Sequence, residues 1–432
     1  MRKIFNDIHE HYDVFELENG MKLYVIQKVD YQSSVFYFGF PFGSFDLVQK
    51  VDSEIRQFPP GIAHFLEHKL FENPSGIDIM QSFSNLSCNV NAFTSYNETV
   101  YYFNSSKKTL QKPLKLLLDF VQNLSITETS VEKEKGIITQ ELRMYKQMPE
   151  QRLMAETYHS LYVNHPVRLD IGGTEESVNS TCMEDLMDAY RLNYHPSNSV
   201  LVCVTPLNPE LVYRWVKDNQ DQKFFEPRHE IKRLLDDEPM SVERTFYQFE
   251  MDIQASKLTY SFKLDDYSDN QKQNIEKEWQ YRLFLELIYS PTNPAYETWM
   301  QNNRIAEYFG YEVEVNREYG FVMFYGENDD EDDFVDLIRT NLETNLSAFK
   351  EAFSLLKRRY YAQMLRSFDD QDDYAITLLR SHFNDVEMMD SIAILKSIQF
   401  EDIIPIAQTL LSKPTALVKM TGFSKQDEST RL

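Results

Sequence analysis

Both halves of this chain run through one order of elements, and few folds accommodate that. Alternating apolar residues over 13–17 and 21–26 flank Asn19-Gly20, a hairpin signal, and 33–40 predicts a third strand. A polar loop is expected over 47–60. A helix from Ile62 follows, then a stop at Asn73-Pro74-Ser75-Gly76 and a short helix over 77–83. A second hairpin is expected over 89–95 and 99–103, and helices over 110–124, 129–145 and 183–192. A buried-type strand over 199–204 follows Pro196, and a helix over 210–219 comes after it. The second half repeats the scheme. It has strands over 245–253 and 257–264, helices over 270–289 and 295–302, and a hairpin over 311–316 and 319–326. Helices over 332–343 and 345–367 and further helical segments lead to a strand over 413–420. The strands that follow Pro196 and Pro414 are the clearest matched pair. A chain of 432 residues exceeds the usual size of one core. The expected fold class is therefore α+β: two similar domains, each a mainly antiparallel sheet packed with helices. They span 1–225 and 241–432, with a charged linker at 226–240.

The first half alone carries His64-Phe65-Leu66-Glu67-His68. From Ile62 the segment has no Gly or Pro and favours a helix. At about 100° per residue, His68 falls about 40° from His64 and Glu67 about 60° to the other side. Two imidazoles and a carboxylate thus share one face. Imidazoles one turn apart can both reach one Zn²⁺, and the carboxylate beside them can take a proton from water. The bland alternative is a pair of hydrogen-bonded core histidines. The spacing H-x-x-E-H is the known inverzincin motif.

The helix downstream supplies further carboxylates. Thr129-Ser130-Val131-Glu132 has capping-box spacing, which makes Thr129 the expected N-cap and Glu132 its partner. On that helix Glu134 and Glu141 lie about two turns apart and share a face. Taken alone, such a pair is a solvated stripe. Beside two histidines short of a third ligand, it offers the carboxylate of a His₂Glu zinc set with an open fourth position. The acidic runs 327–333 and 369–373 lack the spaced ligands and glycine of a calcium loop and read as solvated helix starts.

Charge and cysteines narrow the class. A formal net charge of −24 disfavours nucleic acid, which needs clustered cations. Cys88, Cys182 and Cys203 contain no C-x-x-C pair, so neither a disulfide scaffold nor a thiolate zinc site is expected. The N-terminus has no apolar signal core, and no apolar run is long enough to span a bilayer. A cytoplasmic setting is the expectation.

The combination of His64-Phe65-Leu66-Glu67-His68, the Glu134/Glu141 helix, Asn91-Ala92-Phe93-Thr94-Ser95 with Thr99-Val100-Tyr101-Tyr102, Gly172-Gly173-Thr174 and Tyr194-His195-Pro196 resembles the pitrilysin/insulinase family of zinc metallopeptidases. The length matches its half-size members, the bacterial processing peptidases and mitochondrial processing peptidase subunits. The resemblance implies one Zn²⁺ per chain on His64, His68 and Glu141, with Glu67 as general base and Glu134 orienting a ligand histidine. It implies that Asn91, Ala92 and Phe93 bind peptide as an added strand. It also implies that Arg304 and Tyr311 hold a substrate carbonyl in a chamber closed by a second chain. The expected activity is a zinc endopeptidase acting on short unfolded peptides, in peptide maturation or clearance. The expected partner is a twin copy or a zinc-free homologous subunit. The alternative function is a non-catalytic assembly subunit.

Overall fold

The Asn19-Gly20 turn joins two strands as its sequence demands, and from there the first sheet can be followed strand by strand. The computed structural model describes residues 1–72, 78–106 and 109–423, without the side chain of Asp7; the expected stop at Asn73–Gly76, and Ile77, lie outside the described residues. The strands in the first part of the chain are β1 (Arg2–Phe5), β2 (Glu10–Glu16), β3 (Lys22–Gln27), β4 (Ser34–Phe40), β5 (Val48–Val51), β6 (Glu54–Gln57), β7 (Asn89–Thr94), β8 (Thr99–Ser105), β9 (Val200–Thr205) and β10 (Ile231–Arg233). The later strands are β11 (Phe246–Met251), β12 (Lys257–Leu264), β13 (Gly310–Val315), β14 (Gly320–Glu327) and β15 (Thr415–Gly422).

Two compact units result. The first is built on a seven-stranded sheet in the order β1-β2-β3-β9-β4-β8-β7. Its strand β9 runs parallel to β3 and antiparallel to β4. The second is built on a five-stranded sheet in the order β11-β15-β12-β14-β13. There β15 runs parallel to β11 and antiparallel to β12. The two strands that follow proline turns thus hold the same place in both sheets, as the matched order of elements predicts.

The central strands of each sheet are buried on both faces, and this decides how the chain is shared out. Every residue of β4 and β9 is buried. Phe36, Phe38 and Phe40 pack into one core with the Ile62–Leu70, Gln111–Val121 and Met183–Asn193 helices. The opposite face is covered by Gln371–Phe383, where Leu379 sits against Gly39 and Tyr37 donates to Asp372 at 2.6 Å. In the second unit the Pro149–Leu161 helix plays the same part. Leu153 packs with Val418 and Met420, and Thr157 meets Thr259 at 2.6 Å. The first unit therefore comprises Met1–Arg143, Asp170–Leu235 and Leu365–Glu387. The second comprises Met144–Leu169, Asp236–Met364 and Met388–Leu432. The expectation of continuous domains at 1–225 and 241–432 did not include this exchange of helices.

Three local expectations are corrected. Residues 47–60 are not all loop: β5 and β6 form a hairpin there. The stretch read as a linker supplies β10, which pairs with β5. Strands of three or four mostly polar residues carry no alternation to detect. Their anchor is a long-range ion pair, with Arg233 donating two bonds of 2.9 Å to the buried Asp46. The capping box also sits two residues earlier than expected. The helix is Glu128–Lys146. Thr127 Oγ1 accepts from Ser130 N at 3.2 Å, Ser130 Oγ accepts from Thr127 N at 3.1 Å, and Glu132 pairs with Lys135. Thr127→Ala is expected to lower stability by about 0.5–2 kcal/mol in urea titrations, whereas Glu132→Ala leaves it nearly unchanged.

Candidate metal centre

The helix Ile62–Leu70 buries Ile62, Ala63, Phe65, Leu66, Lys69 and Leu70, and leaves His64, Glu67 and His68 half-buried on its remaining face. Its start is fixed by backbone packing. Gly61 has φ +89°, and a Cβ there would lie 2.3 Å from Gly172 O. Gly173 has φ +82°, and a Cβ there would lie 2.3 Å from Pro60 O. Only glycine satisfies both the left-handed backbone and the close approach. Ser177 Oγ closes the join by donating to Pro60 O at 2.8 Å. The turn at Gly172-Gly173 thus sets where the two histidines project.

The second wall is the Glu128–Lys146 helix. Glu141 Oε2 lies 3.4 Å from His68 Nε2 and 3.9 Å from His64 Nε2. Glu134 stands one step behind, with Oε1 3.1 Å from His68 Nδ1. The imidazoles are edge-on to each other, with centroids 4.6 Å apart. Residue spacing alone could not divide the two carboxylates, since both lie on one helix face. The tertiary structure sets Glu141 toward both Nε2 atoms and Glu134 toward the far nitrogen of His68.

Burial drives His64 down to about 4, aided by the neighbouring His68, so its imidazole is neutral. Its Nδ1 is buried without a hydrogen-bond partner among the described residues, while Nε2 faces Glu141. For His68, burial opposes charge, but the bond to Glu134 and the nearby Glu67 and Glu141 raise its pKa. Burial raises Glu134, yet its bond to His68, that charge, and Lys69 and Lys133 bring it below the ordinary range. Lys69 is wholly buried, donates to Ser130 O at 3.1 Å and lies 3.8 Å from Glu134. Glu67 is pushed up by burial and by Glu141, against the pull of Thr94 and His68.

The donor set fits zinc. One atom each from His64, His68 and Glu141 lies within 4.8 Å of the others. Tetrahedral bonds of about 2.0–2.1 Å put donor atoms about 3.3 Å apart. The 3.4 Å separation matches that, and the 3.9 Å one closes with a small side-chain adjustment. Two imidazoles, one carboxylate and a fourth open direction suit a catalytic rather than a closed structural site.

The other expected residues fall in two places. Asn91, Ala92 and Phe93 lie on β7, the edge strand of the first sheet. Asn91 is exposed, and Ala92 N bonds to Asn91 Oδ1 at 2.9 Å. Arg304 and Tyr311 belong to the second unit. Arg304 donates to Asp333 at 2.8 Å and Asp336 at 3.2 Å, while Tyr311 donates to Glu286. Two contributors to the centre went unread in the sequence, Lys69 and Thr94. A lysine inside an apolar helix face, and a threonine in register with Val90 and Ala92 on an apolar strand face, were the available signals.

Residues 57–175 match the family described as Insulinase (Peptidase family M16), and residues 182–353 match its inactive domain. The zinc protease YmfH of Bacillus subtilis is 33% identical over 409 residues, 94% of either chain. The mitochondrial-processing peptidase subunit beta of Homo sapiens is 30% identical over 144 residues, 33% of this chain and 29% of that one. The crystal structure of an M16-like peptidase from Alicyclobacillus acidocaldarius superposes with a TM-score of 0.88 at 27% identity, covering 95% of this chain and 98% of that one.

Proposed function

Because the chain belongs to the insulinase (M16) peptidase family, we propose that it is a zinc-dependent endopeptidase that hydrolyses short unfolded peptides. The observation that carries this reading is the convergence of His64, His68 and Glu141 donors beside the half-buried carboxylate of Glu67. A family member reduced to an assembly subunit has no need of such a base.

The chain's own residues divide the work. His64, His68 and Glu141 would hold Zn²⁺, and Glu134 would fix the ring of His68 through Nδ1. Zinc there supplies a Lewis acid that polarises a peptide carbonyl and brings the pKa of water to about 7. Glu67 takes the proton of the attacking water and later passes it to the leaving amine. Its upward shift moves its proton affinity toward working pH, which suits a base. A peptide would add to the free edge of β7, with Ala92 N exchanging Asn91 Oδ1 for a substrate carbonyl and Phe93 lining a side-chain pocket.

The finer proposal encloses the peptide in a chamber closed by a second chain, a twin or a zinc-free homologous subunit. Arg304 and Tyr311 would then exchange Asp333, Asp336 and Glu286 for a substrate carbonyl. Maturation or clearance of peptides in the cytoplasm is the proposed setting. It agrees with three unpaired cysteines and with no described helix being long and apolar enough to cross a membrane. Purified chain is expected to cleave a quenched-fluorescence peptide library, to lose that activity to a chelator, and to regain it with one equivalent of zinc. Cleavage unaffected by chelation, or absent at full zinc loading with and without co-purifying partners, contradicts the proposal.

A further inference from the structure

We infer that Thr94 is a positioning residue that ties the peptide-accepting strand to the general base; the inference rests on the metallopeptidase reading above. Thr94 Oγ1 donates to Glu67 Oε2 at 2.6 Å, the one hydrogen bond that this carboxylate makes among the described residues. That bond holds one oxygen and leaves Oε1 to receive a proton. The hydroxyl is itself directed. Thr94 Oγ1 lies 3.4 Å from Thr99 Oγ1, and the fully buried Thr99 already donates to Phe42 O at 2.8 Å. With the Thr99 proton committed to Phe42, the Thr94 proton is free to go to Glu67.

Thr94 also belongs to the strand proposed to take the peptide. It closes β7 opposite Thr99. Backbone groups of residues i and i+2 point to the same side of a strand. Ala92 N bonds to the Asn91 side chain, so the Ala92 backbone faces the free edge, and Thr94 shares that side. A peptide strand added there would touch the backbone of the residue whose hydroxyl holds the base. Peptide seating and base alignment then act through one residue, and the consequence is felt in turnover rather than in affinity.

The test uses full-length zinc-loaded protein carrying Thr94→Val, Thr94→Ala and Thr94→Ser, with a quenched peptide and bound zinc as readouts. Val and Ala are expected to lower kcat about 10- to 100-fold, the worth of one bond to a charged group. KM and zinc content stay unchanged, and Ser recovers most of the rate. A crystal structure of the zinc form of Thr94→Val should show the Glu67 carboxylate rotated from its native position. Wild-type kcat in Val and Ala, an equal loss in all three variants, a rise in KM at constant kcat, or an unmoved Glu67 overturns the inference. If the wild-type protein cleaves nothing, the metallopeptidase reading falls by itself, and the Glu67 orientation still decides whether Thr94 positions it.

Discussion

Glu67→Gln is expected to abolish peptide cleavage while leaving zinc bound and the fold intact. The amide keeps the size of the carboxylate and can still accept from Thr94, whose hydroxyl lies 2.6 Å away. It cannot take a proton. General-base participation is worth about 10²–10⁴-fold, or roughly 3–5 kcal/mol of barrier. Glu67 sits outside the set formed by His64, His68 and Glu141, so metal content by mass spectrometry should match wild type. Peptide cleavage at wild-type rate in the Gln variant would refute the role of Glu67. Loss of zinc together with activity would move Glu67 into the ligand set.

His68→Ala is expected to remove the metal, because it deletes one of three protein donors and also leaves Glu134 without the partner 3.1 Å away. The half-buried carboxylates Glu67 and Glu134 then lose the nearby imidazole that favours their charged forms. Zinc per chain by mass spectrometry should fall to background. A milder change calibrates the series: Glu134→Gln keeps all three donors and loses only the charge that orients His68. Supporting bonds of this kind are worth about 10- to 100-fold in metal affinity, so competition with a zinc chelator should read that shift. Full zinc occupancy in His68→Ala would sink the donor assignment.

The legible part of the site is the part held on single elements. Helical spacing brought His64, Glu67 and His68 to one face, and the Ile62–Leu70 helix does so. It also set Glu134 and Glu141 on one face of the Glu128–Lys146 helix. The capping box there was misplaced because Thr127-Ser130 and Thr129-Glu132 offer the same spacing, and local chemistry does not choose between them. The strands β5, β6 and β10 were missed for another reason. Each has only three or four residues, and β10 finds its partner far along the chain.

The sequence by itself determined most of the elements, though not β1, β5, β6, β10 or the Pro149–Leu161 helix, because period, turn residues and apolar alternation act over a few residues. It determined the two-sheet plan too, since both halves write the same order and each carries a late strand after a proline turn. Only the tertiary structure decided which helix covers which sheet. Gln371–Phe383 joins the first unit and Pro149–Leu161 the second, because β4 and β9 are buried on both faces and Val418 and Met420 of β15 pack against Leu153, so each sheet takes a second layer. It also decided that Glu141 meets both Nε2 atoms, that Glu134 backs His68, and that Thr94 holds Glu67. Those are distances between side chains on different elements, and they exist only once the helices and β7 have docked.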